Sequence, residues 1–265
     1  PRVKSSGDIL LLSCYELGHQ PMGLAMPLAF LERAGYAPRA LDLAVEPFDP
    51  ALAARARLVA ISVPMHTALR LGVRAARRVR EANPRAHVCF FGLYAQLNRR
   101  WLLEAVADSV LGGESETPLV ERVRALERGD PPPAPGALAR QDFPAPSRSA
   151  LPPLERYARF ERGEESRLAG YVEASRGCLH LCTHCPIPPV YAGRLFIVPV
   201  ERVLEDVRAQ VAAGARHVTF GDPDFLNGPA HSLRVLRAAH AEFPDVTFDF
   251  TAKVEHLLRH RALLP

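Results

Sequence analysis

Asp8-Ile9-Leu10-Leu11-Leu12-Ser13-Cys14 is an unbroken apolar run near the start of the chain. A strand with one face in water alternates apolar and polar residues. A run that is apolar at every position belongs to a strand buried on both faces, as in a parallel sheet covered by helices. Outward from this strand the pattern repeats. Residues 24–34 have helical spacing and stop at Gly35, a natural helix end. Residues 39–44 form a second, weaker strand, 58–62 a third, 87–91 a fourth and 109–111 a short fifth, with a helix over 66–82. Strands separated by helices of this length predict right-handed crossovers and a parallel α/β sheet over residues 8–127.

In such sheets ligands bind beyond the carboxyl ends of the strands. Those ends fall at 15–23, 62–67, 92–96 and 113–116, which are rich in small and polar residues and predict a cofactor platform. No GxGxxG follows the first strand, which argues against a dinucleotide site. Cys14 and Cys89 lie inside apolar strands and read as small core residues.

Residues 131–153 hold eight prolines and read as a stiff, extended linker. The predicted organisation is therefore a domain over 1–130, a linker over 131–167 and a second domain over 168–265. In the second, residues 171–174 read as a strand. A helix opening at Pro199 places Val200, Val203, Leu204, Val207 and Val211 on one face and closes at Gly214. A strand at 217–220, a helix at 230–241 and a strand at 246–251 complete three βα units.

With 48% hydrophobic and 23% charged residues the composition is that of a globular protein. No stretch approaches the roughly 20 apolar residues of a membrane span, and no basic-then-apolar leader is present, so a cytoplasmic, membrane-free protein is expected. Five cysteines, three of them in one tight run, fit a reducing compartment. The net charge of +4 is small, and Arg70, Arg74, Arg77, Arg78 and Arg80 lie on a helix rather than among aromatics. They read as a solvated face, and nucleic acid is not an expected partner. The chain starts at Pro1 without a methionine and stops just after a helix begins, so both ends read as cut.

The chemistry concentrates in Glu173-Ala-Ser-Arg-Gly-Cys178-Leu-His-Leu-Cys182-Thr-His-Cys185-Pro186, a CxxxCxxC run at the end of the predicted strand. Three thiolates within eight residues suit three corners of a cubane iron–sulfur cluster. Four cysteines give the usual closed arrangement, so three imply an open iron. A zinc site needs a fourth ligand, which His180 or His184 offers, but zinc motifs pair two such halves and no second half exists here. A disulfide framework leaves one cysteine over. A second element, His217-Val-Thr-Phe220-Gly-Asp222-Pro-Asp224-Phe225-Leu-Asn-Gly-Pro229, reads as a short strand ending in an acidic loop able to accept hydrogen bonds from an ammonium group; the bland alternative is a solvated turn. Lys253, just past the last strand, is a cation that is solvated or ligand-bound.

Ser175-Arg-Gly-Cys178 leading into CxxxCxxC and Pro186 resembles the radical S-adenosylmethionine (SAM) superfamily. The resemblance implies a [4Fe–4S] cluster on Cys178, Cys182 and Cys185 whose free iron chelates SAM, and reductive cleavage of SAM to methionine and a 5′-deoxyadenosyl radical. That family usually has an aromatic residue before the third cysteine; here it is His184. The Asp222-x-Asp224-Phe225 loop is similar to the family's second-strand motif in its cobalamin-linked form, which implies SAM contacts at Asp222, Asp224 and Phe225, with Lys253 near the SAM carboxylate. The family barrel has about six βα units, so the resemblance implies that this chain carries the first half. The five-stranded domain ahead of it resembles the cobalamin (B12)-binding domain of cobalamin-dependent radical SAM enzymes, through Asp108-Ser-Val-Leu-Gly-Gly113-Glu114-Ser-Glu116, Ser62 and Gly92. His19, Ser62, Gly92 and Gly113 are the cobalamin contacts that follow. The loop Leu17-Gly-His19-Gln-Pro-Met22 departs from the Asp-x-His-x-x-Gly pattern of domains with a histidine lower ligand: it keeps a histidine but lacks the aspartate and glycine. The loop from Tyr15 to Pro21 resembles that of a radical SAM subgroup named for a cysteine- or selenocysteine-containing tail. Implied partners are a small-molecule or peptide substrate and an external one-electron reductant. The competing class is a non-enzymatic iron–sulfur or zinc module for electron transfer or regulation.

Overall fold

β1 (Ile9–Ser13) is buried at every position and lies inside a five-stranded parallel sheet. The others are β2 (Arg39–Asp42), β3 (Leu58–Ser62), β4 (His87–Phe91) and β5 (Ser109–Leu111), in the order β2-β1-β3-β4-β5. The computed structural model describes residues 7–131 and 138–263. The residues carrying the expectation of cut ends, and 132–137 of the expected linker, lie outside the described ones.

The helices form where the sequence supplies one apolar stripe. α1 (Met22–Arg33) is buried along most of its length and carries Pro27. α2 (Pro50–Arg55) is capped by Asp49, whose side chain accepts from the amides of Ala51 and Leu52. α3 (His66–Ala82) buries Ala68, Leu69, Val73, Ala76 and Val79 and turns its arginines outward. α4 (Leu93–Leu97) and α5 (Arg99–Ala105) link β4 to β5. α6 (Glu116–Arg128) ends on Gly129 in the left-handed region. Leu10, Leu12, Val59, Ile61, Val88 and Phe90 are the centre of one core face.

The chain divides into compact units between Pro152 and Pro153. Residues 138–152, expected within the linker, belong to the first unit: Phe143 is buried there and Gln141 bridges Glu114 and Glu116. Their partners lie 24 residues or more away in sequence, which proline content alone does not reveal.

In the second unit β6 (Arg159–Arg162) and β7 (Glu165–Val172) form an antiparallel hairpin, and β7 continues into a parallel sheet with β10 (His217–Phe220) and β11 (Thr247–Phe250). The hairpin is polar and largely exposed, so it carries no apolar signature. β8 (Ser175–Gly177) pairs antiparallel with β9 (Leu195–Ile197), with α7 (Pro188–Tyr191) between them. α8 (Val200–Ala212) buries Val203, Leu204 and Val207, and α9 (Pro229–Glu242) packs beside it. α10 (Val254–Arg259) follows β11. Among the described residues, no helix is long and apolar enough to cross a membrane.

Candidate functional site

In the first unit the order β2-β1-β3-β4-β5 reverses direction between β1 and β3, the place where open α/β sheets bind ligands. Ser62 ends β3, Gly92 follows β4, Gly113 follows β5 and His19 lies in the loop after β1. All four thus sit at the carboxyl edge of one parallel sheet. Gly23, at the start of α1, donates its amide to the Glu16 carboxylate at 3.1 Å. A Cβ at 23 would collide with Glu16 and with Ser62, so backbone and side chains are in direct contact at the switch point. Gly92 has φ +104, and a Cβ there would press on the Val63 carbonyl at 3.3 Å. These close approaches explain why small residues fill the edge. His19 is half-buried, its amide bonded to the Glu16 carbonyl. A cavity of about 590 Å³ opens elsewhere, at the amino ends of β3 to β5, lined by Arg57, His87 and Asp108 among others.

In the second unit the cysteines occupy a loop closed by the β8–β9 hairpin, not the bare end of a strand. Gly177 adopts φ +77, which turns the chain, and the Cys178 amide donates to the Arg194 carbonyl at 3.1 Å. The Cys185 amide donates to the Cys182 carbonyl at 3.2 Å, tightening the second half. Cys178 is buried; Cys182 and Cys185 are half-buried, and all three thiols are free.

The loop after β10 clamps the cysteine loop. Asp222 is 2% exposed and its carboxylate accepts from the Ala174 amide at 3.0 Å and the Ser175 hydroxyl at 2.5 Å. Burial pushes its pKa up to about 7, against the opposing pull of those hydrogen bonds. Asn227 donates to the Cys178 sulfur at 3.3 Å and accepts from the Leu179 amide at 3.4 Å. His231 contacts the Ala174 carbonyl at 3.1 Å. The sequence gives no signal for Asn227 or His231, which read as turn and helix residues.

Asp222 and Phe225, expected to face a ligand, are both buried. Phe225 is packed between the rings of Phe220 and Phe250, at 4.7 and 4.9 Å. Asp224, also buried, lies 2.9 Å from His256 and 3.7 Å from His180. Lys253 is half-buried, with its ammonium 3.2 Å from His180 and 3.4 Å from Glu255. The structure thus gathers Cys178, Asp224 and Lys253 around one loop through His180, expected only as a fourth zinc ligand, and Asn227, which was not expected there.

Residues 9–123 match the family model described as B12 binding domain. Among solved structures, the radical SAM methyltransferase TsrM from Kitasatospora setae, with cobalamin and a [4Fe–4S] cluster bound, is 18% identical with a TM-score of 0.66. The match covers 91% of this chain and 52% of TsrM. The cobalamin-dependent SAM radical enzyme OxsB, with aqua-cobalamin bound, is 13% identical at a TM-score of 0.66, over 92% of this chain and 39% of OxsB. A curated tRNA-2-methylthio-N(6)-dimethylallyladenosine synthase from Desulfosudis oleivorans is 36% identical over 56 residues, 21% of this chain and 12% of that protein. The chain therefore spans about half of TsrM, and less of the others. At these identities the solved structures establish a shared fold: a Rossmann-like sheet followed by βα units.

Proposed function

We propose that this chain is the cofactor-holding portion of a cobalamin-linked radical SAM enzyme. The observation that carries the reading is the cysteine loop. Three free thiols stand in eight residues of chain, held from one side by β9 and from the other by Asp222 and Asn227. The donor set fits a cubane, which needs thiolates bound to three separate irons rather than gathered on one ion. The first unit fits cobalamin through its match to the B12 family and the small residues at its carboxyl edge.

When bound, the cluster supplies one-electron reduction of the SAM sulfonium, and cobalamin supplies a methyl-carrying cobalt; such hard chemistry belongs to cofactors. The protein's part is placement. The Asn227 amide donates toward the Cys178 sulfur, which stabilises negative charge there. Asp222 ties the end of β10 to β8 and fixes where the loop begins. Lys253 offers the cation for the SAM carboxylate, while Asp222 and Phe225 act by packing. His19, Ser62, Gly92 and Gly113 line the cobalamin edge. An external one-electron donor and a small-molecule or peptide substrate complete the reading.

Anaerobic reconstitution of the full chain tests it. The reading requires about four irons with matching sulfide per chain, lost in Cys178→Ala, and stoichiometric cobalamin retained through gel filtration. A colourless protein holding zinc on the cysteines would instead establish the non-enzymatic module.

A further inference from the structure

We propose that His180, Asp224 and His256 bind one divalent ion of the zinc or ferrous class at a site separate from the cysteines. The three side chains come from the cysteine loop, the turn after β10 and α10. One ligand atom from each lies within 4.8 Å of the other two. The Asp224 Oδ2 atom is 2.9 Å from His256 Nδ1 and 3.7 Å from His180 Nε2. Nitrogen and oxygen ligands sit about 2.0–2.2 Å from such an ion, so neighbouring ligands stand about 3–3.5 Å apart. Two of the observed separations straddle that range; the third, up to 4.8 Å between the two imidazoles, must close, with His180 Nε2 leaving its 3.1 Å contact to His256 Nε2, for one ion to touch all three.

The decisive feature is what Asp224 and His256 fail to do. Both are more than nine-tenths buried, and among the described residues their facing atoms, Oδ2 and Nδ1, lack a hydrogen-bond partner despite their proximity. Atoms 2.9 Å apart without hydrogen-bond geometry aim past each other. A shared third point explains this, and a buried unsatisfied pair of this kind is where an ion belongs. The other Asp224 oxygen accepts from the Lys253 amide at 3.4 Å, which orients the carboxylate as an outer contact orients a metal ligand.

Two imidazoles and one carboxylate select zinc or ferrous iron and leave coordination positions open. His180, with a quarter of its side chain exposed, marks the solvent side where water or a ligand oxygen completes the shell. With Nε2 on the ion, His180 Nδ1 carries its proton and no longer accepts from Lys253. The Lys253 ammonium then turns to Glu255, already 3.4 Å away. The ion would pin the cysteine loop to the ends of β10 and β11.

The site goes beyond the radical SAM reading and is testable without it. The full chain carrying Cys178→Ser, Cys182→Ser and Cys185→Ser cannot hold a cluster on those residues, and cobalt(II) titrated into it reports on nitrogen and oxygen ligands alone. We expect stoichiometric binding, visible d–d bands, no thiolate charge-transfer band, and displacement by zinc. His180→Gln, whose partly exposed side chain can change without opening the core, should weaken binding about 100-fold, as should His256→Gln if circular dichroism shows it folded. If the serine variant does not fold, wild-type chain with alkylated thiols takes its place. No cobalt uptake, or uptake unchanged in His180→Gln, overturns the site.

Discussion

Gly177→Ala isolates what holds the cysteine loop in place. Gly177 has φ +77, and a side chain in that region costs about 1–2 kcal/mol. A Cβ there would also overlap the Arg194 carbonyl oxygen and lie 2.6 Å from the Tyr191 ring. That carbonyl accepts from the Cys178 amide and belongs to the residue entering β9, so it cannot retreat without breaking the hairpin. Forced overlap in a packed site adds about 1–3 kcal/mol. The sum is about 2–5 kcal/mol against the second unit. Gly163→Ala is the control: φ is +61, but nothing lies within 4 Å of its Cβ, so only the backbone cost of about 1–2 kcal/mol remains. Urea unfolding followed by a probe of the second unit reads both. Equal losses in the two variants, or a Gly177→Ala loss under about 1 kcal/mol, would refute the steric argument.

Three further outcomes follow from the same geometry. Asp222 has a folded pKa of about 7 against 3.8, so its contribution is full below about pH 4 and declines as pH rises through 7; wild-type unfolding free energy should fall between pH 5 and 8 by up to about 2.5 kcal/mol relative to Asp222→Asn, and parallel pH profiles would contradict this. Burial closes off the Cys14 and Cys89 thiols and pushes them to about 12 and about 11, so iodoacetamide at pH 8 should label the half-buried Cys182 and Cys185 while leaving Cys14 and Cys89 unlabelled in the native state; mass spectrometry finding native-state label on Cys14 would show the core is not closed. Replacing the Asn227 donor at Cys178 with a carboxylate sets like charges together. Iron retained after reconstitution should therefore fall from wild type to Asn227→Ala to Asn227→Asp, and equal retention would remove Asn227 from the site.

The first sheet was legible because its strands are buried on both faces, which writes an apolar letter at every position. β3, β4, β5 and β10 fall on the residues predicted. α1 begins at Met22, two residues before the predicted start, and lacks a side-chain cap to mark its entry. α2 left only a short signal, the Asp49-Pro50 start. The β6–β7 hairpin was hidden because exposed antiparallel strands rich in charge look like loop. β8 and β9 are three residues each, too short for any period to register. In the site, the cysteines announce themselves because their ligand spacing is local. The meeting of His180 with His256 spans 76 residues and depends on β10 and β11 delivering their ends to one loop. No local pattern encodes it. Asp222 and Phe225 lie in the loop expected to contact SAM, and their burial, which ties that loop to β8 and packs it on Phe220 and Phe250, has no local signal in an acidic, turn-rich stretch.

In the proposed function Cys178, Cys182 and Cys185 seat a cubane with one iron left open. Mössbauer spectroscopy of the chain reconstituted anaerobically with iron-57, before and after adding SAM, tests it most directly. One iron in about four should change its isomer shift when SAM is added. A cluster whose irons all ignore SAM, or no cluster at all, would contradict it.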